Sequence, residues 1–244
     1  MSSRRFILNS PPQNDKAILE GQEAYHLSCV LRAKPGLKIE LMDGSGKVWS
    51  GVIEQVNPGL VELGQVTLLQ KVDFDQARID LVLAICKADK LEWILQKTTE
   101  IGVANIYLLE ANRSIANVPS DRLQSKMDRW RKIMKAASKQ SHRSKLPQLH
   151  PPVEIHQLLS LLDADLKIML SERSGIPALK TVLRQGHWRS AALSVGPEGG
   201  WTPSEEKIFS ESGFLLASMG QNILRSETAA IVATAILQYE LEET

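Results

Sequence analysis

Residues 220–234 read GQNILRSETAAIVAT. A glycine opens a turn, Arg225 and Glu227 follow on the same loop, and an apolar helix starts near Ser226. A second glycine loop, Gly196-Pro197-Glu198-Gly199-Gly200, lies one helix and one strand upstream. Each loop closes a short apolar run, Ala191–Val195 for the first and Phe214–Ser218 for the second. Two charged turns at strand ends point to one cleft built from both.

Outward from these loops the chain alternates. Strands are expected at Arg78–Lys87, Ala104–Glu110, Leu166–Leu170, Ala191–Val195 and Phe214–Ser218. Helices are expected at Lys90–Gly102, Ser120–Ser141, Val153–Leu162, Ile176–Arg184, Thr202–Ser212 and Ser226–Glu242. Nearly continuous apolar strands between helices specify a parallel sheet covered on both faces. In such sheets ligands bind beyond the carboxyl ends of the strands, where both glycine loops lie.

Thr202-Pro203-Ser204-Glu205 is a capping box with proline at the first helical position. A loop that only turns a strand into this helix needs no further function. Gly199 and Gly200, however, leave main-chain N–H groups uncovered near a helix start, a favourable place for an anionic group. Glu198 just before them would repel a phosphate, so the loop suits a ligand with a cationic part. The final helix is apolar nearly all round, from Ala229 through Leu237, and such a helix is buried in its own core or against a second subunit. Ser226 is a plausible cap, and Glu227 places a negative charge where the helix dipole favours one.

The first seventy residues read differently. A strand at Arg4–Asn9 and a helix at Gln22–Arg32 precede strands at Lys38–Met42, Val48–Gln55 and Leu60–Leu69. The turns Asp43-Gly44-Ser45-Gly46 and Asn57-Pro58-Gly59 join them. Short strands at this spacing form a small barrel or sandwich. Gly44-Ser45-Gly46-Lys47 resembles the tail of a phosphate-binding loop but lacks the first glycine and the closing Ser/Thr, so it reads as a hairpin turn. The polar stretch 70–77 marks the boundary, giving domains 1–72 and 73–244.

Net charge is +1 over 244 residues, so nucleic-acid binding must be argued from local patches. From Asp121 to Lys145 there are nine basic and two acidic residues. They surround an apolar stripe of Leu123, Met127, Trp130, Met134 and Ala137. This excess suits a phosphate backbone. Arg4, Arg5, His26, Arg32 and Lys34 add cations to the first module, a common way to hold RNA. No apolar run approaches the ~18 residues of a membrane helix. The start shows no signal peptide, and Cys29 and Cys86 read as buried free thiols without metal spacing, so a cytoplasmic protein without metal is expected.

Taken together the motifs resemble the bacterial 16S ribosomal RNA uridine-N3 methyltransferases of the SPOUT superfamily. The residues that carry the resemblance are Arg4-Arg5-Phe6, His26 with Val30-Leu31-Arg32, and QKTTEIGV at 96–103. Arg129-Trp130, ASKQSHR at 137–143 with Pro147, VGPEGG at 195–200 with Glu205, and Gly220–Ala229 complete the set. Departures are Trp201 after the glycines, Thr98-Thr99, and Asn222 and Ser226 where Arg and Thr are usual. The resemblance implies a PUA-like barrel, then an α/β methyltransferase domain with a C-terminal trefoil knot that binds S-adenosylmethionine, in a homodimer acting on the small ribosomal subunit. It implies cofactor contacts from Leu170, Ser171, Glu172, Gly196, Pro197, Glu198, Gly199, Gly200, Ser218, Met219, Gly220, Ile223, Leu224 and Ala229, with Glu198 near the sulfonium. Arg225 is the expected stabiliser of the uracil anion, and Glu227 either orients Arg225 or serves as base. Arg4, Arg5, His26, Arg32, Arg113, Arg129, Lys132, Lys135 and Arg143 are the expected RNA contacts. A non-catalytic RNA-binding protein and a methyltransferase with another RNA target are the competing readings.

Overall fold

The computed structural model describes residues 5–71, 77–114 and 118–242, and the first seventy of the chain build a five-stranded sheet. Its strands are β1 (Arg5–Ile7), β2 (Ala17–Glu20), β3 (Lys38–Met42), β4 (Lys47–Asn57) and β5 (Leu60–Lys71), in the order β1-β3-β4-β5-β2. Only β1 and β3 run parallel; the other pairs are antiparallel. Register shifts between β4 and β5 bend the long hairpin. Phe6, Leu19, Leu27, Leu41, Ile53 and Leu63 fill the core of this unit.

The helix expected over Gln22–Arg32 is shorter and changes pitch. A five-residue α1 (Gly21–Tyr25) passes into a π-helical turn at His26–Val30, and Arg32 ends it in the left-handed region at φ 49°. Cys29, in this turn, is exposed, against the expectation of two buried thiols, whereas Cys86 is buried. The edge strand β2 was not foreseen, being only four residues long.

Ser138–Leu146, far along the chain, clusters with this first unit. Leu146 N–H donates to the Gly44 carbonyl at 2.9 Å, and Gly46 N–H donates to the Ser144 carbonyl at 3.2 Å. Gly44 lies at φ 79°, and a Cβ there would approach Leu146 Cδ1 to 2.8 Å. The glycine turn that looks like part of a phosphate loop is thus a seat for this segment.

The second unit is a six-stranded, all-parallel sheet in the order β11-β9-β10-β6-β7-β8. Chain order runs β6 (Arg78–Ala84), α2 (Ala88–Ile101), β7 (Asn105–Leu109), α3 (Ser120–Gln140), β8 (Gln148–Val153), α4 (Ile155–Leu161), β9 (Leu166–Leu170), α5 (Leu179–Leu183), β10 (Ser190–Val195), α6 (Pro203–Glu211), β11 (Leu215–Ala217) and α7 (Ser226–Glu242). The central strands β6 and β10 are buried at almost every position, as a sheet covered on both faces requires. β8 is the element the sequence hid: Pro151 and Pro152 argue against a strand, but β8 is an edge, where a missing donor is tolerated. Met127, Trp130, Met134 and Ala137 of α3 are buried as the stripe predicts.

α7 packs Ala230, Ala233 and Leu237 inward against α2 and the sheet. Gly102 ends α2 at φ 134°, and a Cβ there would meet Gln238 Oε1 at 2.8 Å, so the glycine both stops one helix and admits the other. The opposite face of α7 leaves Val232 and Tyr239 exposed in the single chain, so its own core covers one side of the helix. Among the described residues no helix is long and apolar enough to cross a membrane.

Candidate functional site: a cleft at the carboxyl edge of the parallel sheet

Because every strand of the second unit runs the same way, the chain leaves them all on one edge. Leu170–Arg173 follows β9, Val195–Trp201 follows β10, and Ser218–Arg225 follows β11. These three strands are neighbours, so their loops meet. They line one cavity of about 870 Å³, within the usual size of small-molecule sites. All fourteen residues expected to hold a cofactor line it, together with Arg225.

The first glycine loop is held from several sides. The Trp201 indole N–H donates to the Leu170 carbonyl at 3.0 Å, and its ring lies where a Gly196 Cβ would come within 2.9 Å. Arg113 donates to the Gly199 carbonyl at 3.1 Å and to that of Trp201 at 3.3 Å. Arg113 was expected to contact RNA; the structure puts it against the loop. The capping box forms as read: Thr202 N–H donates to Glu205 Oε2 at 2.8 Å, and Glu205 N–H donates to the Thr202 hydroxyl at 3.3 Å. Glu205 Oε1 also accepts from Asn112 N–H at 2.8 Å, tying in the loop after β7.

The charges sort in a way the sequence did not show. Lys90, in the first turn of α2, donates to Glu198 at 2.8 Å and lies 3.5 Å from Glu227. Glu198 is held below its ordinary carboxylate range chiefly by this hydrogen bond, and Lys90 is raised by the same contact. Glu198 is therefore neutralised by a lysine. Glu227 is buried, does not line the cavity, and has Lys90 rather than Arg225 as its ion-pair partner. Cys86 lies in the same field; burial first, then Glu198 and Glu227, push its thiol up to about 12, so it is a protonated, inert group. Across the cavity, the buried Glu206 accepts from the Ser171 hydroxyl at 3.1 Å and pairs with Arg173. Arg225 is exposed at the rim, and among the described residues no carboxylate lies within ion-pair distance of it.

An RNA methyltransferase domain model matches residues 74–238, and an RNA methyltransferase PUA domain model matches residues 19–64. The protein named ribosomal RNA small subunit methyltransferase E of Bacillus subtilis is 29% identical over 98% of this chain and 97% of its own length. That of Synechocystis is 30% identical over 90% of this chain and 72% of its own. This chain belongs to the RNA methyltransferase family. A crystal structure of ribosomal RNA small subunit methyltransferase E from Neisseria gonorrhoeae bound to S-adenosyl methionine matches with a TM-score of 0.84 at 29% identity, over 97% of both chains.

The basic residues of this RNA methyltransferase divide by unit. In the first, Arg5 bonds Glu40 at 2.7 Å, donates to the His142 carbonyl, and is largely covered, so its charge is turned inward. His26 and Arg32 are exposed, with the His26 ring 6.2 Å from that of Phe6. Lys139 bonds Glu23 at 2.8 Å, and Arg143 is half-buried, which lowers its guanidinium to about 10 and leaves it charged at neutral pH. In the second unit Arg129 pairs with Glu92 at 2.7 Å, whereas Lys132 and Lys135 have no carboxylate within ion-pair distance among the described residues. Arg4 lies outside the described residues.

Proposed function

We propose that this chain transfers the methyl group of S-adenosylmethionine to N3 of a uridine in 16S ribosomal RNA of the small ribosomal subunit. The observation that carries the reading is the convergence of three strand-end loops on one cavity with an arginine at its rim that has no ion-pair partner among the described residues. Family membership and relatives named for small-subunit ribosomal RNA support the substrate. The cavity's chemistry fits the cofactor. Its walls offer main-chain groups from Gly196–Gly200 and Ser218–Leu224, and Gly200 at φ 69° and Gly220 at φ 123° keep that backbone bare of side chains.

When bound, S-adenosylmethionine supplies an already activated methyl group, so the protein's task is position and electrostatics. Methylation at N3 requires loss of the imide proton to solvent, and negative charge then spreads over the uracil carbonyls. Arg225, with no carboxylate within ion-pair distance among the described residues, is the group that stabilises this charge. Glu227 acts from behind through Lys90. The base must leave its stack to reach this cavity. His26, Arg32, Arg143, Lys132 and Lys135 supply phosphate contacts, and Arg113 and Arg129 divide their charge with protein partners.

The reading extends to assembly. The exposed face of α7, with Val232 and Tyr239, and the protruding Ile223 form the contact of a homodimer. The C-terminal segment is threaded as the knot implied by the resemblance, for which the order β11-β9-β10 supports a crossing after β10. The domain boundary lies at 72/73, outside the described residues, and the enzyme works in the cytoplasm, where its RNA is. Nucleoside analysis of 16S RNA methylated in vitro tests the target: 3-methyluridine is expected, and a ribose-methylated nucleoside would favour a relative with another target.

A further inference from the structure

We propose that Lys90 is a positioning residue that fastens the first glycine loop, through Glu198, to the start of α7, through Glu227, and so fixes both the cofactor cradle and the loop that carries Arg225. The inference rests on the reading of this cavity as the S-adenosylmethionine site.

Lys90 stands where a lysine is otherwise unfavourable. It is in the first turn of α2, at the positive end of the helix dipole. That placement needs compensation, and the two carboxylates supply it: Glu198 Oε1 at 2.8 Å and Glu227 Oε2 at 3.5 Å. Glu227 in turn is 7% exposed at its side chain, so its charge needs a partner. Apart from the Ser226 hydroxyl at 3.4 Å, Lys90 is the partner found among the described residues. One ammonium therefore joins three elements: the start of α2, the loop after β10 and the start of α7. Asp89, Lys87 and the protonated Cys86 are the other titratable groups around it.

The consequence for function follows from the chain. Glu227 is two residues from Arg225, and Glu198 is the middle of the first glycine loop. Releasing Lys90 frees the loop and leaves Glu227 buried without a counter-charge. Cofactor binding and turnover then fall together, although Lys90 takes no part in the transfer itself.

The test is a coupling measurement on the full-length enzyme. S-adenosylmethionine affinity by calorimetry and kcat on 16S RNA are compared for wild type, Lys90→Met, Lys90→Arg, Glu198→Gln and the Lys90→Met/Glu198→Gln pair. Lys90→Met should weaken the cofactor and slow turnover by about tenfold or more each, as loss of a charged hydrogen bond does. Lys90→Arg should restore most of both, and the pair should be no worse than Lys90→Met alone within about twofold. Lys90→Met/Glu227→Gln removes the buried charge with its partner, which keeps the chain folded if the single variant does not fold. Wild-type affinity and rate in that variant, or effects of Lys90 and Glu198 that simply multiply, would overturn the proposal. Wild-type enzyme that binds no S-adenosylmethionine would instead overturn the assignment of the cavity.

Discussion

The two glycine loops share a cavity but are built in opposite ways. Residues 196–201 are cross-linked: Lys90 holds Glu198, Arg113 holds two carbonyls, Trp201 reaches Leu170, and Glu205 anchors the helix that follows. Residues 220–225 have few such ties. Ser218 and Gly220 bond each other at 3.2 Å, Ile223 is 76% exposed, and the Arg225 side chain has no ion-pair partner among the described residues. A wall held on all sides suits a ligand recognised through main-chain atoms. A rim with an unsatisfied cation suits an anion that arrives from outside. Under the proposed function, the contrast fits the first loop to the cofactor and the Arg225 end of the second to the RNA base.

The sharpest way to break this contrast is at Arg225. Arg225→Ala should lower kcat by roughly 100- to 1000-fold, as removal of one anion-stabilising donor does, while the calorimetric affinity for S-adenosylmethionine stays within about twofold. Equal losses in both would erase the division between the loops. Next in size is the RNA surface. Reversing Lys132 and Lys135 to Glu should weaken RNA binding and reduce the slope of log K against log salt by about 2, given ~0.9 per phosphate contact. An unchanged slope would return α3 to a merely solvated face.

A smaller effect compares the loops by stability. Gly196→Ala forces a Cβ against the Trp201 ring and should cost about 1–3 kcal/mol in chemical denaturation. Gln221→Ala, on the exposed tip, should stay within about 0.5 kcal/mol. The smallest effect is pH-dependent. Glu198 is depressed below its ordinary 4.5, so its pairing stabilises the fold above that pH and is lost as pH falls through the lowered value. Lys90 is raised above 10.5, so its contribution is present below 10.5 and is lost as pH rises beyond it. The melting-temperature difference between wild type and Lys90→Met should therefore be level between these limits and shrink on either side.

Much of the fold could be read because its signals are local. β3, β9 and α7 lie over the residues expected of them, since apolar runs and turn residues bound them on both sides. The capping box at Thr202 is a contact between residues three apart, and it formed. What could not be read depends on residues distant in sequence. Lys90 and Glu198 are 108 positions apart, and only the parallel order of β6 and β10 brings them together. Glu227 looked like a partner for its neighbour Arg225, yet α7 turns its carboxylate inward towards Lys90. Arg5 looked like an RNA contact until Glu40, on the paired strand β3, claimed it. The docking of Ser138–Leu146 on Gly44 was hidden for the same reason.

The most direct test of the account is methyl transfer by the purified enzyme from labelled S-adenosylmethionine to 16S ribosomal RNA, offered as naked RNA and as the small subunit, with the product nucleosides resolved by mass spectrometry. The account predicts one methyl group per RNA, recovered as 3-methyluridine and lost with Arg225→Ala. Absence of transfer to either form, or recovery of the label on a ribose or another base, would contradict it.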